Sequence, residues 1–423
     1  MTESAHLSFI HAADFHLGSP FKGIGRLAPH AASFLAEATY KAFDNLINEA
    51  VERNVDFVLC AGDLLDLEDR NLRALLHLRR GFKRLQEHGI RVYVVHGNHD
   101  PYEIMSKSVE FPENVFVFPP RQEEWIQTFG RNGMPVSIWG ASFKKKAEKR
   151  NLVRLVPALS AEGYKIGLLH CTVGSGGGHD PYAPCQVSDL RAGRCDYWAL
   201  GHIHKKNVVS SQPLAVYSGN IQGRSFKEQG PRGCFVVEVR EDAESSCTFF
   251  ETCVVKWHEE SVDVSHISTL AELMDKMYER VNGLRAASEP CGLICRIRLE
   301  GICSFHESIY ANDSLDQLTE ELNACFDNQS PLLLVAGIEN HSIPATDMEK
   351  RKKAGDLVSY VLREADRLEI DPNKLTGPEG PLAQLFQNRR FAKFGIALDE
   401  DDAKQIVLAA QHLLLHLLEH PDK

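Results

Sequence analysis

Apolar and polar positions along this chain follow two different rhythms. From residue 7 to about 240, short β-rich runs are separated by stretches of helical period: "LSFIHAAD", a helix through "FLAEATYKAFDNLINEAVERN", "DFVLCAGD", a second helix over 72–88, then "RVYVVHGN". Strands spaced by helices of this length predict a layered α/β domain with a largely buried sheet. The later runs "KIGLLHCT", "YWALGHIH", "LAVYSGN" and "CFVVEVRE" have too little helix between them for a plain doubly wound fold. A second, partly antiparallel sheet is therefore expected, making a two-sheet sandwich flanked by helices over residues 1–260.

Around residue 260 the rhythm changes. "ISTLAELMDKMYERV" reads as a helix, and "LICRIRLEGI" alternates Cys295, Ile297 and Leu299 with Arg296, Arg298 and Glu300, as a strand with one wet face does. Ser314 and Gln317 form a capping box at the head of "SLDQLTEELNACF", and "PLLLVAGI" reads as another strand. Residues 262–342 thus make a small α+β unit. Residues 346–423 read as helical: Ala354, Leu357, Val358, Val361, Ala365 and Leu368 keep the spacing of one apolar face, "LTGPEGPL" breaks the chain, and a last helix runs through "AKQIVLAAQHLLLHLLEH". Such a face needs cover, either from the protein's own body or from a partner.

Composition narrows the class. At 423 residues, 43% hydrophobic and 25% charged, the chain is globular and longer than one core usually serves. Its eleven cysteines are odd in number and scattered, without a C-x-x-C pair, which argues against a disulfide framework or zinc ribbon and for a reducing compartment. The N-terminus carries no basic segment followed by a long apolar one, and no stretch of eighteen apolar residues occurs. A cytoplasmic, non-membrane protein is expected. The net charge of -11 argues against coating nucleic acid by bulk charge, so a polyanion would need a local patch. The basic runs at 143–154 and 76–84 offer two, each equally readable as a solvated helix face.

The candidate chemistry sits where apolar runs stop. The first ends in "ADFHLG" with Asp14 and His16, the second in "AGDLLD" with Asp63, and the third in "HGNHDP" with Asn98, His99 and Asp100. Two later runs end in "LLHCTVG" with His170 and in "GHIHKK" with His202 and His204. In α/β sheets the loops at the carboxyl ends of strands form the ligand crevice, so all five can converge. Each piece alone has a plain explanation. Asp and Asn after a strand are commonly turn formers, a lone His170 is commonly a packed histidine, and about one His-x-His is expected by chance among 19 histidines. Extended backbone would send His202 and His204 to the same side.

Five coincidences are harder to dismiss. No serine nucleophile elbow or Walker glycine loop competes. Seven oxygen and nitrogen ligands without a thiolate suit Mn, Fe or Zn rather than a soft metal, and they are too many for one tetrahedral ion. Two divalent ions sharing a carboxylate and a water would serve in-line attack on a phosphate ester, with a nearby histidine as general acid.

D-x-H, G-D-x-x-D, G-N-H-D, a lone His after a strand, and G-H-x-H, in this order over residues 7 to about 225, resemble the calcineurin-like metallophosphoesterases. Within them, "ADFHLGSPF", "CAGDLLD", "HGNHDPYE" and "GHIHKKN" look most like bacterial DNA repair exonucleases of the SbcD type, and "GHDPYAPC" like the YhaO branch. The resemblance implies that Asp14, His16, Asp63 and His204 hold one ion and that Asp63, Asn98, His170 and His202 hold the second. Asp63 would bridge, a hydroxide shared by the ions (Mn first; Fe, Zn or Mg also) would attack phosphorus, and His99 would assist the leaving group. Position 66 is Asp where some relatives have His, which leaves its role open. His179, Tyr182 and Arg224 are candidates for touching the nucleic-acid backbone. The small α+β unit would correspond to the family's capping domain. A homodimer and an SMC-like coiled-coil ATPase, docked on the C-terminal helices, are the implied partners. Besides a DNA exonuclease or endonuclease, two readings stand: a phosphoesterase for small substrates such as cyclic nucleotides, and a DNA-end-binding subunit active mainly with its ATPase.

Overall fold

The computed structural model describes residues 7–24, 29–66, 71–108, 110–158, 162–174, 181–306, 309, 314–326, 330–345 and 351–367, with isolated positions beyond. The chain divides into two compact units: residues 1–258 with 288–294 and 328–334, and residues 259–287 with 295–327 and 335–423.

Along the first unit come β1 (Leu7–Ala12), α1 (Pro29–Glu52), β2 (Phe57–Ala61), α2 (Leu72–Glu87), β3 (Arg91–Val95), α3 (Tyr102–Ser108) and β4 (Val115–Val117). They are followed by β5 (Ile126–Phe129), β6 (Pro135–Ala141), β7 (Tyr164–His170), α4 (Val187–Ala192), β8 (Tyr197–Gly201), β9 (Asn207–Ser211), β10 (Leu214–Tyr217), β11 (Gly233–Val239) and β12 (Ser245–Glu251). Two six-stranded sheets result, ordered β12-β11-β1-β2-β3-β4 and β5-β6-β7-β8-β10-β9. In the first, β1 to β4 are parallel and β11 and β12 add antiparallel neighbours; in the second, β6, β7, β8 and β10 are parallel between antiparallel edges. The expected two-sheet α/β sandwich is the fold.

Strand alternation explains the layering. Phe57, Leu59 and Ala61 of β2 face Tyr197 and Ala199 of β8 in the core between the sheets, while Val58 and Cys60 face the helical layer of α1 and α2. On the far side Trp198 and Leu200 pack with Leu190 of α4 and with a 3-10 turn at 152–155. Each such fully buried large side chain stabilises the fold by roughly 1.5–3 kcal/mol. Helix α2 starts where Asn71 accepts a hydrogen bond from the Ala74 N–H (3.1 Å), and buries Ala74, Leu78, Phe82 and Leu85 at three- and four-residue spacing. Strands β4, β5, β6, β9 and β12 went unrecognised in the sequence. The first two are three and four residues long, and β6 opens on Pro135 and contains Gly140, both poor strand signals.

Further along come β13 (Val255–Asp263), α5 (Leu270–Ser288), β14 (Gly292–Glu300), β15 (Ile302–Cys303), α6 (Ser314–Ala324), β16 (Leu333–Asn340), β17 (Ile343–Pro344) and α7 (Leu357–Arg367). Strands β13, β14 and β16 form a three-stranded sheet. Cys295, Ile297 and Leu299 are buried as the alternation predicts; Arg296 and Arg298 on the other face reach Glu259 at 3.4 and 3.0 Å and Glu339 at 3.2 and 3.5 Å. Helix α5 buries Leu273, Met277 and Val281, one side chain per turn.

The C-terminal apolar face differs from expectation. Ala354 is exposed and precedes the helix, which begins at Leu357 because the Asp356 side chain accepts from the Ser359 N–H at 2.8 Å. Among its described side chains, Ser359 and Leu362 are buried and Val358 and Val361 half-buried; those of Leu357 and Ala365 lie outside the described residues. Leu368, half of the "LTGPEGPL" break and most of the last predicted helix lie outside the described residues. No helix among the described residues is long and apolar enough to cross a membrane.

Candidate metal centre and active site

All five sequence motifs follow the carboxyl ends of parallel strands, β1, β2 and β3 in one sheet and β7 and β8 in the other. Four of these strands stop short of their polar residues, at Ala12, Ala61, Val95 and Gly201. The chain then passes through left-handed backbone at Asp14 (φ 53°), His16 (φ 43°), Asp63 (φ 52°) and His202 (φ 98°). Such conformations cost on the order of 1–3 kcal/mol each in residues with a β-carbon, and persist where the surroundings over-determine them. The extended geometry expected for His202 and His204 is therefore absent, and their rings part. His204 lies beside His16, with Nε2 atoms 3.3 Å apart, whereas His202 lies beside His170, with ring centroids 5.2 Å apart.

Two nests of donors result, with Asp63 between them. On one side His16 Nε2 is 4.0 Å from Asp63 Oδ2, and His204 Nε2 is 3.9 Å from Asp14 Oδ1. On the other, His170 Nε2 is 3.3 Å from Asp63 Oδ2 and 3.1 Å from Asn98 Oδ1. The His202 N–H reaches both oxygens of Asp14, at 3.2 and 3.1 Å.

The donor set fits divalent cations. His16 Nδ1 faces Asp66 Oδ1 at 3.1 Å, and His204 Nδ1 faces Glu228 Oε1 at 2.6 Å. A carboxylate only accepts, so in each ring the Nδ1–H donates and, in the neutral form, the Nε2 lone pair turns to the partner ring. Two lone pairs at 3.3 Å repel unless an electrophile sits between them. Burial pushes the His16 pKa down to about 4, which keeps that ring neutral and able to ligate. Oxygen and imidazole donors without a thiolate match the borderline or hard ions expected from the sequence.

Burial shapes the carboxylates too, raising Asp14 to about 6. For Asp63 burial also favours the protonated form, but His170 beside it outweighs burial and holds the carboxyl well below its ordinary range. The same pair acts on His170, where burial is overcome by Asp63 and the pKa is pushed up to about 9. Glu228 is held near 2 by His204 in spite of burial.

His99 stands at the edge of the cluster with its side chain 37% exposed, its N–H donating to Asp63 Oδ1 at 2.8 Å and its Nδ1 in contact with Asp66 Oδ1. Burial lowers its affinity for a proton, but Asp66 and Asp63 more than offset this, so its pKa is raised. Asp66, whose role the sequence left open, is a hub: it receives His16, His99, the Ser19 hydroxyl and Arg224 Nη1 (3.4 Å). Arg224 Nη2 lies 3.9 Å from Glu228, and its buried Nε has no partner among the described residues. The Tyr182 ring is 5.5 Å from that of His202, and His179 lies outside the described residues.

Sequence reasoning missed one positioning residue and assigned no role to another. Glu228, in "SFKEQG", sits in no recognisable pattern. Asp100 does belong to the quoted G-N-H-D; its carboxylate accepts from the N–H groups of Asp63 (3.2 Å), Leu64 (2.9 Å) and Gly97 (2.8 Å) and so clamps two site loops together. The motif glycines are steric. A β-carbon on Gly97 would fall 2.3 Å from Asp63 Oδ1, and one on Gly201 would fall 2.0 Å from the Ala61 carbonyl oxygen.

Residues 7–206 match the calcineurin-like phosphoesterase family, and residues 257–341 match the middle domain of metallophosphoesterase YhaO. The chain belongs to the calcineurin-like phosphoesterase family and is a metal-dependent phosphodiesterase of the hydrolase class. Over 318 residues it is 37% identical to the uncharacterized metallophosphoesterase YhaO of Bacillus subtilis (strain 168), spanning 75% of this chain and 77% of that one. It is 25% identical over 245 residues to the DNA double-strand break repair protein Mre11 of Methanocaldococcus jannaschii, covering 55% of this chain and 62% of that one. To a subunit of the nuclease SbcCD of Bacillus subtilis (strain 168) it is 22% identical over 259 residues, covering 53% and 64%. The chain thus spans less than two thirds of the length of those last two relatives.

Proposed function

We propose that this protein hydrolyses phosphodiester bonds in DNA with two bound divalent cations, manganese first, and with His99 as general acid. The observation that carries the reading is Asp63, buried between two donor nests and within reach of both. Asp14, His16, Asp63 and His204 would hold one cation; Asp63, Asn98, His170 and His202 would hold the other. When bound, the cations supply charge neutralisation at the phosphoryl oxygens and make a water acidic near neutral pH. The chain's own residues do the rest. Asp66 fixes the His99 ring through Nδ1, which leaves Nε2–H to protonate the leaving 3'-oxygen. Asp66 and Glu228 aim His16 and His204, and Asp100 holds the loops that carry Asp63 and Asn98. Tyr182 and Arg224, beside this cluster, would contact the strand, with His179 as a further candidate.

DNA as the substrate is supported by likeness to Mre11 and to the SbcCD nuclease. A cytoplasmic homodimer working with a coiled-coil ATPase belongs to the same reading. The acidic balance of -11 favours the second reading, a phosphoesterase for small substrates.

Cleavage of labelled linear duplex and single-stranded DNA is compared with that of bis-p-nitrophenyl phosphate, under Mn, Mg or chelator, for wild type and His99→Ala. Nucleotide release that requires Mn and His99 is expected. Turnover of the small diester with DNA left intact, even after a coiled-coil ATPase is added, would establish the small-substrate reading instead.

A further inference from the structure

Away from the metal centre, one other group among the described residues brings ligating and nucleophilic side chains together: Glu251, Cys253 and Cys291, whose ligand atoms lie within 4.8 Å of one another. Cys253 falls between β12 and β13, and Cys291 immediately precedes β14. The Gly292 N–H donates to the Val254 carbonyl at 2.8 Å, so the two segments run side by side and each cysteine directly precedes one partner of that bond. Hydrogen-bonded extended segments lie about 4.7–4.9 Å apart, inside the Cα separation of roughly 4.4–6.8 Å that a disulfide spans. The Cys291 thiol donates to the Cys253 carbonyl at 3.0 Å, and the Arg232 N–H donates to Cys253 Sγ at 3.5 Å.

We infer that Cys253 and Cys291 form a dithiol that a hydroperoxide oxidises to an intramolecular disulfide. The Cys291 thiolate attacks one peroxide oxygen and the O–O bond breaks. The departing oxygen takes up the thiol proton and leaves as alcohol or water, so that Cys291 becomes a sulfenic acid. The Cys253 sulfur then displaces the hydroxyl, which leaves as water with the Cys253 proton. Two thiols and one hydroperoxide thus become one disulfide, one alcohol or water, and one further water.

The same three side chains have the makings of a thiolate metal site, but Lys256 disfavours that use. Its ammonium is 2.8 Å from Glu251 Oε2, so the carboxylate already has its cation. Both thiols are buried; a hydrogen bond from Cys253, and after it Lys256, lower the Cys291 pKa against burial while Cys253 is raised, which makes Cys291 the nucleophile of the pair. A second adjacent pair, Cys171 and Cys185, is buried beside the metal centre, with Cys171 at 0% exposure.

The test uses the full chain carrying Cys325→Ser, which removes the exposed thiol. Hydrogen peroxide is added, the protein is digested without reductant, and peptides are weighed. The expected product is the Cys253 and Cys291 peptides joined and two hydrogens lighter than their sum, reversed by dithiothreitol, with the free-thiol count falling by two per chain. In Cys253→Ser the oxidation should stop at Cys291 and be trapped by dimedone; in Cys291→Ser neither linkage nor trapping should occur. A linkage joining Cys171 to Cys185 instead, or no linked peptide, would overturn the inference. So would one equivalent of zinc in the purified protein that Cys291→Ser releases.

Discussion

On the Asp14 side of the metal centre, His16 and His204 are aimed by the loop carboxylates Asp66 and Glu228, and His204 keeps 27% of its side chain exposed. On the His170 side, the ring is fully buried, aimed by the Ala61 carbonyl at 2.9 Å, with Gly97 and Gly201 closing over it. One half is positioned by side-chain charge and the other by backbone. The difference teaches where each half is vulnerable: a lost carboxylate is a local defect that water partly repairs, whereas a methyl group added at Gly97 meets the buried Asp63 and His170 side chains, and one at Gly201 meets the Ala61 carbonyl, with no room to relax locally.

The largest effect should come from the residue that belongs to both halves. Asp63→Ala is expected to lose both cations by metal analysis and to lower the rate by several kcal/mol of transition-state stabilisation, roughly a thousandfold or more. If one full equivalent of metal persisted, the shared role of Asp63 would be wrong.

His99→Ala should separate chemistry from metal holding. Turnover is expected to fall by about 10²–10⁴-fold while both cations remain bound, as calorimetric titration would report. Loss of metal in this variant would move His99 from acid to ligand.

Gly97→Ala attacks the backbone-aimed half. Displacing Asp63 by about an ångström should cost on the order of a hundredfold in turnover, since a misplacement of that size is felt strongly in catalysis. A structure of the variant with Asp63 unmoved would contradict the steric account.

The smallest effect belongs to the carboxylate-aimed half. Glu228→Ala should weaken binding of one cation by about 10–100-fold, and Glu228→Gln, which keeps an acceptor for His204, should recover most of the loss. Equal loss in both variants would mean that charge, not aim, is what Glu228 supplies.

The ends of apolar runs exposed most of the site because a strand that stops at a polar residue leaves its mark within a few positions. Asp14, His16, Asp63, Asn98, His170, His202 and His204 are all readable that way, and the structure brings them together. Glu228 was not readable, since it acts on His204 from 24 residues away through a loop with no period of its own. Asp66 stood inside a quoted motif, yet its partners, His16, Ser19, His99 and Arg224, are scattered along the chain. Strand β6 hid behind a proline and a glycine, although it pairs with β7 along six residues.

The sequence by itself determined the two-sheet class, the seven strands of the first unit that carry strong apolar runs, and which side chains could ligate, because hydrophobic period and local polarity are properties of short segments. The tertiary structure alone decided that the His202 ring lies beside His170 and the His204 ring beside His16. It also decided that Asp66 joins His16 to His99, and that Cys253 meets Cys291 across 37 intervening residues. Those outcomes depend on left-handed turns and on backbone hydrogen bonds between distant segments, and neither carries a local signature.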